Sequence, residues 1–265
     1  MNVFLAMGSL FEFLQKNQIE KGRALPAVHS SEAYLIKKFM KTGRIEPQPC
    51  KFFEGEKLSY FFLGRPAFKR SLDAEPDYWE LPMSFVVKYD SIKRKRIFPF
   101  DTGAFRSGIY PHFISMMDLE EFEVEKDHEA AEKIVGTFFG TSRNYFLLNP
   151  RSKGDFENRF DVSVLDEEIR ALHKLVSLKG GSTDDRRFAI ELQTDHQLEL
   201  IRENVLAVVL PEAYIEAPKV VTYVEKELGA ELITYPLYPL KKDYYYYAIY
   251  EKIDHFFRSN GFYRV

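Results

Sequence analysis

The chain has 265 residues, 45% of them hydrophobic, and carries 24 Phe and 16 Tyr, which is enough apolar and aromatic material for a sizeable core. A formal net charge of -3 argues against a generic nucleic-acid coat, and the single cysteine, Cys50, excludes an internal disulfide framework and fits a reducing, cytosolic compartment. No run of apolar residues is long enough for a membrane span, and Met1 to Leu14 lacks the basic flank of a signal peptide, so no membrane association is expected.

In chain order, Leu10–Glu20 reads as a short amphipathic helix. Ser30 or Ser31 caps a stronger helix that runs to Thr42, with Tyr34, Leu35, Phe39 and Met40 on one face and Gly43 as its stop. Leu58–Leu63 is a strand closed by the Gly64–Arg65–Pro66 turn, and Met83–Tyr89 is a second strand. Ile97–Pro111 mixes turn formers with aromatics and reads as a packed loop. Helices are expected at His128–Phe139 and Asp166–Leu178, with an exposed loop at Lys179–Asp185 between helix and strand. Strands follow at Arg187–Gln193 and Val205–Leu210, then a helix at Lys219–Leu228, a strand at Glu231–Tyr235 and a C-terminal amphipathic helix at Tyr244–Arg258. Four consecutive tyrosines, Tyr244 to Tyr247, cannot share one buried helix face, so at least one is expected to be exposed. The rhythm lacks the regular βαβ repeat of a doubly wound parallel sheet, and an α+β fold with a mixed sheet fits better.

Several familiar chemistries are missing. The chain has no GxGxxG and no GxxxxGK[ST], no HExxH among its six histidines, and no GxSxG. One cysteine cannot assemble a Cys-rich zinc site.

Three segments carry what chemistry the sequence offers. His29, in Val28–His29–Ser30–Ser31, is either a capping or surface residue or an imidazole that donates to a ribose hydroxyl, with Ser30 or Ser31 as a second polar contact. Tyr60, in Leu58–Ser59–Tyr60–Phe61–Phe62, is either core packing or a ring that stacks on a flat heterocycle. Glu191 alternates with apolar neighbours, Phe188, Ile190 and Leu192 on one face and Ala189, Glu191 and Gln193 on the other. Its plain reading is the polar face of a half-solvated strand. Its chemical reading is a fixed carboxylate facing the positive charge that develops on a ribose ring when an N-glycosidic bond breaks. The Phe98–Phe105 segment, with Asp101 and Arg106 as polar tips, is a packed loop or one that closes over a ligand. The basic run Lys93–Arg96 is a solvated turn or a local anion-binding strip, and Lys51, Arg65, Lys69 and Arg70 are scattered around a second.

These three segments, in this order, resemble the ADP-ribosyltransferase superfamily, and more closely its histidine–tyrosine–glutamate branch and the DarT-like bacterial toxins. The resemblance spans Pro26 to Tyr235 and implies one domain over residues 1–265 with a C-terminal helical extension. It further implies a split mixed β-sheet with flanking helices, and NAD as the substrate with no metal. It assigns His29 and Ser30 to the NAD ribose, Tyr60 to the nicotinamide, Arg65 as a loose counterpart of an Arg near the aromatic strand, and Glu191 to catalysis. The implied activity is of the toxin, toxin–antitoxin or phage-defence type: ADP-ribose passes to a macromolecular acceptor, nucleic acid or protein, and an antitoxin protein restrains the enzyme. An NAD glycohydrolase that uses water as acceptor, and a non-catalytic aromatic-rich binding protein, are the alternatives.

Overall fold

A computed structural model describes residues 9–19, 24–67, 76–124, 129–178, 185–236 and 244–263. In chain order the elements are α1 (Ser9–Lys16), β1 (Ala27–Glu32), α2 (Ile36–Thr42), β2 (Arg44–Ile45), β3 (Gln48–Pro49), β4 (Lys57–Leu63), β5 (Pro82–Val87), β6 (Arg96–Phe98), α3 (Thr102–Arg106) and α4 (His112–Ser115). Then come α5 (Ala130–Phe138), α6 (Ser142–Phe146), α7 (Lys153–Arg159), α8 (Glu167–Ser177), β7 (Glu191–Thr194), β8 (Leu198–Glu199), β9 (Val205–Pro211), α9 (Pro218–Thr222), β10 (Glu231–Tyr235) and α10 (Tyr244–Ser259). The fold is α+β with a mixed sheet. Among the described residues no helix is long and apolar enough to cross a membrane.

The chain divides into two compact units, Met1–Ala24 with Lys95–Leu192 and Leu25–Arg94 with Gln193–Val265. The second unit is built on strands in the order β10-β9-β5-β1-β4, with β3 added outside β4. β10 runs parallel to β9, and the pairs β9–β5, β5–β1 and β1–β4 are antiparallel. Every residue of β5 is buried, which its Phe-Val-Val run suits, and β9 is buried at all but Leu206. β2 and β8 form a separate two-stranded ribbon. In α10 the buried residues Tyr245, Ile249, Ile253, Phe256 and Phe257 recur at helical spacing, while Tyr247 is exposed, as the tyrosine run requires.

The first unit is mostly helical, with β6 and the start of β7 as its strand component. Two aromatic clusters fill it. Phe100 stacks on Phe105 at 5.3 Å and meets Tyr110 and Phe122 edge-on. Phe138, Phe156 and His173 form a second stack, with spacings of 5.6 and 4.4 Å. The segment Ile97–Pro111 is therefore packed as expected, but it also contains the end of β6 and the short helix α3.

Three expectations change. Ser30 and Ser31 do not cap a helix: they belong to β1, opposite Ser84 and Met83 of β5, and α2 starts only at Ile36 after a single 3-10 turn. Pairing with a buried neighbour strand outweighs the capping preference of serine. Arg187 and Phe188 lie in a 3-10 turn, so the late strand begins at Glu191. The helix expected over Lys219–Leu228 is α9 followed by a π-helical segment, Tyr223–Glu227. His128, the expected start of α5, and residues 179–184 of the expected loop lie outside the described residues, as do Lys69 and Arg70.

Gly43 ends α2 at φ +65, as its sequence position predicts. Gly64 is more constrained: it ends β4 at φ +63, its N–H donates to Pro26, and a Cβ there would sit 2.7 Å from Leu25 Cδ1. Gly64→Ala is expected to destabilise the fold by about 1–3 kcal/mol, from the φ penalty plus the clash, read as a lower urea midpoint with unchanged slope.

Candidate functional site

β1 sits in the middle of its sheet, and its two neighbours hold it unequally. It pairs with β5 over six residues, Ala27 to Glu32, but with β4 only at Ala27 and Val28. Just past that point the half-buried His29 places Nδ1 2.9 Å from the Tyr60 carbonyl oxygen. A carbonyl only accepts, so Nδ1–H is the donor. Burial lowers the His29 pKa, and the Tyr60 carbonyl opposes that in part. The ring is therefore neutral near pH 7, with its proton on Nδ1 and a lone pair on Nε2. Nε2 has no partner among the described residues. The imidazole packs between Phe61 at 5.3 Å and Phe39 at 6.3 Å. This tautomer reverses one expectation, because toward a ribose hydroxyl His29 would accept, not donate.

Strand alternation sorts the other candidates by face. Ser30 leaves the sheet on the side opposite His29, where its hydroxyl lies 2.8 Å from that of Ser84. Ser31 shares the His29 face, is only 7% exposed, and its hydroxyl is buried with no hydrogen-bond partner among the described residues. Tyr60 lies two residues from Phe62, which pairs with Val28, so its ring also departs from the side opposite His29. Its phenol lies 2.7 Å from Cys50 Sγ, and that sulfur accepts from the backbone N–H groups of Phe52 and Phe53. Phe61, not Tyr60, is the β4 ring against the imidazole. Arg65 is 1% exposed and directs its guanidinium to Tyr250 of α10, with Nη2 3.4 Å from the hydroxyl and Cζ 5.3 Å from the ring centre. That contact clamps the end of β4 to the last helix. The sequence reading assigned the polar contact to Ser30 rather than Ser31 and missed Phe61. Reading β1 as a strand through Glu32, and applying the two-residue period, would have found both.

The first unit holds Glu191. It is 1% exposed in a strand buried at every position, so the half-solvated reading does not hold. Both carboxylate oxygens are engaged by one residue: Thr102 N–H donates to Oε2 at 3.1 Å and Thr102 Oγ1 donates to Oε1 at 2.7 Å. Thr102 opens α3, and Asp101 caps that helix by accepting from the Ala104 N–H at 2.6 Å. The Tyr110 hydroxyl donates to the Asp101 carbonyl, and the Tyr145 hydroxyl accepts from the Ile190 N–H. Asp101 is thus a buried cap and not an exposed loop tip. The basic run is likewise not a uniform solvated strip: Arg94 stacks over Tyr89 at 4.1 Å, Arg96 is buried, and Lys93 and Lys95 are exposed.

Among the described residues no group of three or more His, Cys, Asp or Glu is placed to hold a metal ion. No protein-family model matches the chain, and no curated protein is significantly similar to it.

Two outcomes follow from this geometry. Thr102→Val removes a buried hydroxyl donor to a carboxylate and is expected to cost about 1.5–3 kcal/mol, measured by urea unfolding. For His29 the folded pKa lies below the unfolded value, so its contribution to stability is complete above the unfolded pKa, near 6.5, and is lost as pH falls toward the folded one. His29→Asn, whose Nδ2–H can replace Nδ1–H, is expected to flatten that acid limb in a series of unfolding curves between pH 7 and about pH 5.

Proposed function

We propose that this chain is an ADP-ribosyltransferase that takes NAD as its substrate. The observation that carries the reading is the arrangement at His29: a neutral imidazole held by Tyr60, its Nε2 acceptor without a partner among the described residues, and on the same sheet face an unsatisfied Ser31 hydroxyl. An acceptor and a hydroxyl on one rigid strand suit the vicinal hydroxyls of a ribose. In this reading Ser31 takes the polar contact first assigned to Ser30, and Phe61 supplies the aromatic neighbour of His29.

Transfer then proceeds as follows. The bond between nicotinamide and C1′ of the ribose breaks, and its electron pair leaves with nicotinamide. A nucleophile of the acceptor macromolecule bonds to C1′ and gives up its proton to solvent. Glu191 is the residue proposed to stabilise the developing cation, and its bonds from Thr102 support the role by holding the carboxylate in one orientation. The acceptor class stays as nucleic acid or protein.

The same two bonds favour a second reading, in which Glu191 only anchors α3 and the protein binds without turnover. Glu191→Gln and Thr102→Val separate the two when transfer from labelled NAD is measured and normalised to the folded fraction. A catalytic Glu191 predicts a fall of at least about 100-fold in the Gln variant and a clearly smaller fall in the Val variant, which keeps the carboxylate and its bond from the Thr102 N–H. Equal, small losses in both would assign Glu191 to the scaffold. Release of nicotinamide without any labelled macromolecule would identify water as the acceptor.

A further inference from the structure

The helical unit contains a cavity of about 720 Å³ lined chiefly by α7, α8 and the segment before α7. That volume is in the range of sites for nucleotide-sized ligands. Its charges are unbalanced. Arg151, Lys153, Arg170 and Lys174 line it against a single carboxylate, Glu157. Glu157 is shared by Arg170 at 3.1 Å and Lys153 at 3.9 Å, and Asp155 beside the cavity is shared by Arg151 at 2.7 Å and Arg159 at 2.9 Å. In the lining itself four cations stand against one carboxylate. Lys174 pairs with neither Glu157 nor Asp155, its ammonium lying 4.1 Å from the centre of the Phe113 ring.

The inner wall has polar groups with unused capacity. His173 is 6% exposed and donates from Nε2 to the Arg151 carbonyl at 3.0 Å. Burial lowers its pKa, so the neutral ring leaves a lone pair on Nδ1 that has no partner among the described residues. One turn along α8 the Ser177 hydroxyl is buried and also has none. A buried hydroxyl without a partner destabilises the empty protein. Leu148 of the same lining sits at φ +58, a left-handed conformation that a branched side chain rarely holds without a local reason.

We propose that this cavity binds a nucleoside phosphate, with its phosphates among Lys153, Arg170 and Lys174 and its hydroxyl or amino donors on His173 Nδ1 and Ser177. None of the residues assigned to NAD cleavage is in the cavity lining, and the proposal stands whether or not that assignment holds.

Isothermal titration of the full chain with ADP, and with adenosine as the phosphate-free control, tests it. ADP is expected to bind saturably, at least about tenfold tighter than adenosine, with affinity that falls as salt rises. Lys153→Ala combined with Lys174→Ala, both on exposed side chains, is expected to weaken ADP at least about tenfold while leaving the melting temperature of the free protein unchanged. Ser177→Ala is expected to raise that melting temperature yet lower the affinity for ADP, a pairing that a purely structural serine would not produce. Absence of ADP binding, equal affinity for adenosine, or an unaltered ADP affinity in the double variant would each overturn the proposal.

Discussion

The hydrogen bond from His29 Nδ1 to the Tyr60 carbonyl is the constraint around which the sheet-bearing unit is organised. A buried carbonyl must find a donor, and in a continuing β1–β4 ladder that donor would come from the neighbouring backbone. Here an imidazole supplies an N–H to Tyr60, just past the Val28–Phe62 pair of the two strands. The same bond sets the histidine tautomer, because a ring that spends its only proton on Nδ1 must present a lone pair at Nε2. One proton position thus decides which imidazole nitrogen is left as the acceptor.

Glu191 shows a related economy in the other unit. Its carboxylate joins a buried strand to the first residue of α3 through two bonds from Thr102, and Asp101 and Tyr110 complete the network around that helix start. For a carboxylate buried to 1% exposure, those donors stand in for part of the water it has lost. Any chemical role for Glu191 is therefore superimposed on a structural one. A measured loss of activity has to be separated from a loss of fold.

The helical unit draws its stability from aromatic stacking more than from long helices. Apart from α8, with eleven residues, and α5, with nine, its helices are eight residues or shorter and would be marginal alone. Rings of Phe100, Phe105 and Phe122 on one side, and of Phe13, Phe138 and Phe156 on the other, bury the apolar area that short helices cannot bury by themselves. The chain's high Phe content finds its use there.

Local patterns were sufficient for much of the framework. Alternating or continuous apolar runs located β4, β5, β9 and β10. Helical periodicity located α8 and α10, and Gly43 marked the end of α2, because each of these signals acts between residues a few positions apart. The sequence alone therefore determined an α+β chain with a mixed sheet and drew attention to His29 and Glu191. Tertiary structure decided the rest. Whether Ser30 and Ser31 cap a helix or extend β1 depended on β5, more than fifty residues away. Which of Tyr60 and Phe61 shares a face with His29 depended on the register of β1 against β4. That Glu191 is buried and bound to Thr102 depended on a contact 89 residues distant along the chain. Local propensity fixes the period of a strand, but only its partner fixes the phase, and the phase decides which side chains meet.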